Sequence, residues 1–169
     1  MQGLRNVRAL GARTSVDLVI TRLNYRFLPQ YVENFAVREG VSGIGLIYPI
    51  YEGAMRSSAR TLGVKMSEAL PYVKEAIGLA GGMQLDRYIV FNMPYCLFEK
   101  EYHHLIPGAR LKLKVNSPGQ VEENVFLGSR DSKLRPGKCA VCPKLEDCGG
   151  IWKNYADVWG TREIGRAAA

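Results

Sequence analysis

The sequence predicts an α/β chain with parallel strands, followed by a small cysteine-rich extension. Three observations predict it. Short β-branched, largely apolar runs alternate with segments of helical periodicity as far as about residue 92. That alternation then gives way to shorter, turn-rich segments, and three cysteines fall within ten residues, at Cys139, Cys142 and Cys148. With 169 residues, 47% of them hydrophobic, the chain is long enough to bury an ordinary core.

In chain order, Met1–Leu10 places Leu4, Val7 and Leu10 on one side of a helix. Val16–Thr21 is rich in Val, Leu and Ile and reads as a strand covered on both faces. Leu28, Tyr31, Val32, Phe35 and Ala36 fall at helical spacing, and Gly40 supplies a stop. Gly43–Tyr48 is a second strand, closed by Pro49. Ser67 is positioned to cap a helix whose Leu70, Val73, Ile77 and Ala80 face the core, with Pro71 tolerated near the first turn. Tyr88–Phe91 makes a third strand.

A strand, crossover helix and strand repeated in this way give a right-handed parallel sheet. Three strands do not close a barrel, so the first strand is expected at an exposed edge. Beyond residue 93, Leu111, Leu113 and Val115 alternate with Lys112 and Lys114, which predicts one strand of an antiparallel hairpin. Asn116–Gly119 is turn chemistry, and Val125–Leu127 can pair back. A last helix is expected over Gly150–Trp159, ended by Gly160.

Composition excludes several classes. No apolar run reaches the eighteen or so residues of a membrane helix, and the N-terminus has no apolar core of a secretory signal. A cytoplasmic location with no membrane partner is the expectation. The net charge is +7, and the densest basic stretch is Arg110, Lys112, Lys114, Arg130, Lys133, Arg135 and Lys138. No aromatic residues are interleaved there and no nucleic-acid-binding motif appears, so a solvated basic face is favoured over a nucleic-acid footprint.

Cys139, Cys142 and Cys148 are spaced Cys-x2-Cys-x5-Cys, and Cys96 follows the third strand. Two intervening residues let both thiolates grip one centre, five more bring the third round, and Cys96 completes a set of four. In a reducing compartment such clustering favours metal over disulfide. Four thiolates suit tetrahedral zinc or an iron–sulfur cubane. Gly149-Gly150 is expected to open the last helix, turning free N–H groups toward sulfur, which favours a cluster.

Several motifs carry a family resemblance. Asp17–Asn24 (DLVITRLN), Gly43–Gly53 (GIGLIYPIYEG) and Asn92–Cys96 (NMPYC) resemble the later strands of a radical S-adenosylmethionine (radical SAM) partial barrel. Cys139–Cys148 with Gly150–Tyr155 and Trp159-Gly160 resembles the auxiliary-cluster tail of such enzymes, of the SPASM and twitch types. The resemblance implies a partial (β/α) barrel fragment over residues 1–92, the C-terminal part of that barrel. Residues 93–169 would form a metal-cluster extension holding an auxiliary [4Fe–4S] cluster on Cys96, Cys139, Cys142 and Cys148. It also implies S-adenosylmethionine as cosubstrate of an intact enzyme that performs radical-based modification of an unknown substrate. Two departures stand out. Trp152 occupies the position where a SPASM tail has a further cysteine, which points to one auxiliary cluster. No cysteine precedes Cys96, so the initiating Cys-x3-Cys-x2-Cys loop is absent and no residue is assigned a catalytic role. The missing barrel half, or a separate chain supplying it, is the partner this reading expects. The competing reading is a standalone four-cysteine zinc module that contacts nucleic acid or a partner protein.

Ligands of parallel sheets bind beyond the C-terminal ends of the strands. Thr21 and Asn24 after the first strand, and Tyr48 after the second, are therefore candidates to contact S-adenosylmethionine, against the plainer reading of turn and cap residues. Glu52-Gly53 and His103-His104 read as polar loops, and Tyr95, Trp152 and Tyr155 as packing around the cysteines.

Overall fold

The structure is a computed structural model that describes residues 1–83, 85, 87–107, 114–117, 120–123 and 132–165. It is a mixed α/β chain that divides into two compact units. The first comprises Met1–Pro49 and Ser58–Phe91, the second Ile50–Ser57 and Asn92–Ala169.

The first unit is built on a parallel sheet of β1 (Ser15–Val19), β2 (Gly43–Ile47) and β3 (Arg87–Phe91), in that spatial order. Val16 lies opposite Ile44 and Ile44 opposite Tyr88, so the three runs read as strands in the sequence are in register side by side. The register puts Val16, Leu18 and Ile20 on one face with Ile44, Leu46 and Val90, and Ile20, Ile44, Leu46 and Val90 are buried. Asp17 and Val19, on the alternate face of the edge strand, are exposed.

Helices α2 (Leu28–Val32) and α5 (Met66–Gly81), the latter preceded by the short α4 (Ala59–Leu62), pack against each other through Leu28, Val32, Ala69, Val73 and Ile77, all buried. Tyr25 meets Tyr72 edge-on at 5.3 Å between ring centroids. Two expectations are corrected here. The long helix starts at Met66 with Lys65 as its N-cap, so Ser67 is an exposed residue of the first turn and makes no cap. The periodic run from Leu28 continues as a π-helix over Glu33–Arg38. Its wider turn rotates Phe35 and Ala36 away from the face shared by Leu28 and Val32, and both are only half-buried.

Helix α1 (Gln2–Ala9) forms as the periodicity predicts but buries none of its residues. It is tied to the unit by polar contacts instead. Arg5 pairs with the Glu39 carboxylate at 2.5 Å, and Arg8 donates to the Glu39 carbonyl.

In the second unit, Ile50–Ser57 includes the short α3 (Ala54–Ser57) and buries Tyr51 completely, its ring 6.0 Å from that of Tyr155 and 6.5 Å from Trp159. Glu52, read from the sequence as a solvated loop residue, accepts a hydrogen bond from Asn154 Nδ2 at 3.3 Å. His103 and His104 lie in a 3-10 helix, Lys100–Leu105, and one ring nitrogen of each meets a nearby backbone carbonyl, that of Phe98 for His103 and that of Glu101 for His104.

The antiparallel hairpin consists of β4 (Lys114–Ser117) and β5 (Gln120–Glu123). Asn116 pairs with Val121 and Ser117 with Gln120, so these two residues belong to the strand and not, as expected, to the turn. Leu111, Leu113, Pro118, Gly119, Val125–Leu127 and the basic residues Arg110, Lys112 and Arg130 lie outside the described residues. A second small ladder pairs β6 (Lys133–Leu134) with β7 (Ile151–Trp152) and leads into α6 (Lys153–Trp159). The last helix therefore begins three residues later than its sequence suggests, because Ile151 and Trp152 are drawn into the ladder. Among the described residues no helix is long and apolar enough to cross a membrane.

Candidate metal centre

All four cysteines are free, half-buried, and contained in the second unit, where they line one cavity. Cys96 is held by a 3-10 turn, Tyr95–Leu97, that follows Pro94. Cys139 sits in a second 3-10 helix, Gly137–Val141, whose entry is fixed by Pro136, and its N–H bonds the Pro136 carbonyl at 2.7 Å. The Cys139 carbonyl then accepts from the Cys142 N–H at 3.0 Å, so the Cys-x2-Cys segment is one tight turn that presents both thiols to one side. A further turn, Cys148 N–H to Lys144 carbonyl at 2.8 Å, brings the third thiol of the segment to the same cavity.

The cavity is partly open to solvent, and Ile164 and Tyr95 supply apolar wall. Two backbone amides point at sulfur. Gly150 N–H lies 3.4 Å from Cys148 Sγ, and Gly165 N–H lies 3.3 Å from Cys96 Sγ. The Gly150 donor comes from the left-handed residue before β7, not from a helix N-terminus as the sequence implied.

Electrostatics tie the four thiols together. Burial pushes the Cys96 thiol up, the Gly165 amide offsets part of this, and negative charge on Cys148, Cys139 and Cys142 pushes it up further. Cys139 is raised by burial and then by Cys148 and Cys142, with Arg135 opposing. Thiols raised in this way stay protonated in the metal-free chain, and a bound cation is what would favour their thiolate forms. Among the described residues, no group of three or more His, Cys, Asp or Glu side chains could hold a single metal ion as placed.

Three cations stand near the cysteines, of which the sequence singled out none as a site residue. Arg135 lines the cavity and donates from Nη2 to the Cys148 carbonyl at 2.9 Å. Lys144 also lines it and pairs loosely with Asp147 at 3.9 Å. Lys133 stacks on the Trp152 ring, and its amine is lowered to about 8, chiefly by burial, while Cys148 acts in the opposite sense. A basic residue between two cysteine-bearing turns was the available signal for Arg135. Gly165 left no signal, because the group it contributes is backbone.

Thr21, Asn24 and Tyr48 lie in the first unit, beyond the C-terminal ends of β1 and β2. Asn24 closes a local turn: Oδ1 accepts from the Thr21 N–H at 2.7 Å and Nδ2 donates to the Val19 carbonyl at 2.9 Å. Tyr48 is fully buried, and its hydroxyl donates to the Val64 carbonyl. These bonds give Asn24 and Tyr48 structural work that needs no ligand.

The fold and the centre thus define a mixed α/β protein with a unit that brings four cysteines to one cavity. No protein-family model matches the chain, and no curated protein or solved structure shows significant similarity to it.

Proposed function

We propose that the chain is an iron–sulfur protein whose second unit holds one [4Fe–4S] cluster on Cys96, Cys139, Cys142 and Cys148. The observation that carries this reading is the single cavity lined by all four cysteines, with backbone amides directed at two of the sulfurs. A cubane lies between its ligands and so suits thiols set round a cavity. Amide donors favour the negative charge that an iron-bound thiolate carries.

The wider context we propose is that of a radical SAM enzyme. The three-stranded parallel sheet would be part of a (β/α) partial barrel and the cysteine-bearing unit its auxiliary-cluster extension. The motifs around Asp17–Asn24, Gly43–Gly53 and Cys139–Trp159 support it, together with the parallel order β1-β2-β3. The chain has no Cys-x3-Cys-x2-Cys loop of its own. The reading therefore assigns it cluster binding and no cleavage of S-adenosylmethionine.

Anaerobic reconstitution with iron and sulfide tests this. A brown protein with iron and sulfide in equal amounts, lost in Cys96→Ser and in Cys142→Ser, is the expected result. A colourless protein that takes up one zinc would replace the cluster with the zinc module. Formation of 5′-deoxyadenosine from S-adenosylmethionine and dithionite by this chain alone would overturn the assignment of binding without initiation.

A further inference from the structure

We propose that the backbone amide of Gly165 is a positioning group for the cluster, which orients the Cys96 thiolate and raises the cluster's reduction potential. The inference rests on the iron–sulfur reading above and adds to it a specific controlling contact. Gly165 N–H donates to Cys96 Sγ at 3.3 Å across 69 positions of sequence. Cys96 is the ligand most remote from the other three in the chain, and this bond reaches it from the opposite end of the unit's sequence.

Two features hold the donor in place. The turn Thr161–Gly165 is closed by the Ile164 N–H to the Thr161 carbonyl at 3.1 Å, and Ile164 is 1% exposed with its side chain in the cavity wall. Burial of Ile164 anchors the turn and so aims the next amide at sulfur. Gly165 itself has φ +75, and a Cβ there would lie 2.8 Å from Lys138 Cβ. Lys138 is the residue before Cys139, so Gly165 is wedged between two ligand-bearing segments where no side chain fits.

Reduction of a cluster adds negative charge that is shared with its thiolate ligands. An N–H dipole directed at one of those sulfurs stabilises the reduced state more than the oxidised one. Removing the proton donor while keeping the turn must therefore lower the potential.

The test uses the full chain assembled by ligation at Cys148, joining residues 1–147 to a synthetic 148–169 segment. In one version glycolic acid replaces Gly165, turning its amide into an ester without adding a side chain. After reconstitution, the ester chain should bind as much iron as the all-amide chain and show a lower midpoint potential. Full iron with an unchanged potential would overturn the inference and leave the cluster reading intact. Should the ester chain fail to load, an all-amide chain carrying ¹⁵N only at Gly165 decides the matter. Its reduced cluster should show hyperfine coupling to that nitrogen in pulsed electron paramagnetic resonance, and absence of coupling rejects the contact. An all-amide chain that binds no iron at all would remove both proposals together.

Discussion

The Lys133 ammonium lies 3.8 Å from the centroid of the Trp152 indole, and the two residues face each other across the β6–β7 ladder. Trp152 is 7% exposed, so the ammonium lies over an almost fully buried residue. The indole face offsets part of the cost of keeping a charged amine there, typically about 0.5–2 kcal/mol. Burial still prevails, since the amine is lowered from 10.5 to about 8.

That shift fixes a pH window for the metal-free chain. Below pH 8 Lys133 is charged in both folded and unfolded states, and the folded state carries the full cost of burying it. Above pH 10.5 it is neutral in both and the cost is gone, so its contribution to stability rises across that interval. Lys133→Met should remove the rise and stabilise the protein by about 1–3 kcal/mol near neutral pH. Denaturant unfolding of both chains at about pH 7 and about pH 10 measures the difference; equal pH slopes would contradict it.

The thiols should titrate as a coupled set. Cys96 and Cys139 are both raised above the ordinary value of 9.0, by burial first and by the neighbouring thiolates second, with Cys148 the largest of these for each. In the metal-free chain their alkylation by iodoacetamide should therefore reach half-rate above pH 9.0. Cys148→Ala should move both midpoints down, toward that value. Peptide-resolved mass spectrometry reads the two sites separately, and midpoints indifferent to Cys148 would show that the thiols are not electrostatically joined.

The parallel sheet was legible because Val16–Thr21, Gly43–Tyr48 and Tyr88–Phe91 are short apolar runs separated by helical spacing, which leaves little choice of topology. Boundaries were less legible where tertiary contacts outvote local preference. Lys65 and not Ser67 precedes the long helix. Ile151 and Trp152 leave the last helix to pair with β6, a choice that depends on Leu134 and Lys133 seventeen or more residues away. The place of Ile50–Ser57 in the second unit rests on Tyr51 meeting Tyr155 and Trp159, which no local pattern encodes. The cysteine spacing singled out Cys139, Cys142 and Cys148 because ligand spacing is a local property. The Gly150 amide was anticipated as a donor to sulfur, though from a helix start that lies three residues further on; that of Gly165 was harder to foresee, since every residue but proline carries the same donor.

Tyr48 offers a check on the first unit. Its buried hydroxyl donates to the Val64 carbonyl and fastens the end of β2 to the segment before α5. Tyr48→Phe keeps the ring and deletes that bond, which should cost about 1–2 kcal/mol in thermal or denaturant unfolding. A loss below about 0.3 kcal/mol would mean that the hydroxyl contributes nothing net to the fold. The same variant should leave iron content unchanged, because the cysteines belong to the other unit.

The sharpest structural prediction contrasts two adjacent glycines after Cys148. Gly150 has φ +73, and a Cβ on it would fall 2.5 Å from the Leu134 carbonyl oxygen and 3.1 Å from Arg135 Cγ. Gly150→Ala must accept a left-handed backbone, at about 1–2 kcal/mol, and also push apart the β6–β7 ladder at the point where Leu134 pairs with Ile151. Together these should destabilise the chain by about 2–4 kcal/mol. Gly149 meets nothing within 4 Å and does not have a positive φ, so Gly149→Ala should change stability by no more than about 0.5 kcal/mol. Moving the Gly150 amide also withdraws its hydrogen bond from Cys148 Sγ, so iron retained after reconstitution should fall in Gly150→Ala and stay at the unsubstituted level in Gly149→Ala. Equal stability and equal iron in the two variants would show that the backbone beside Cys148 is not held as described.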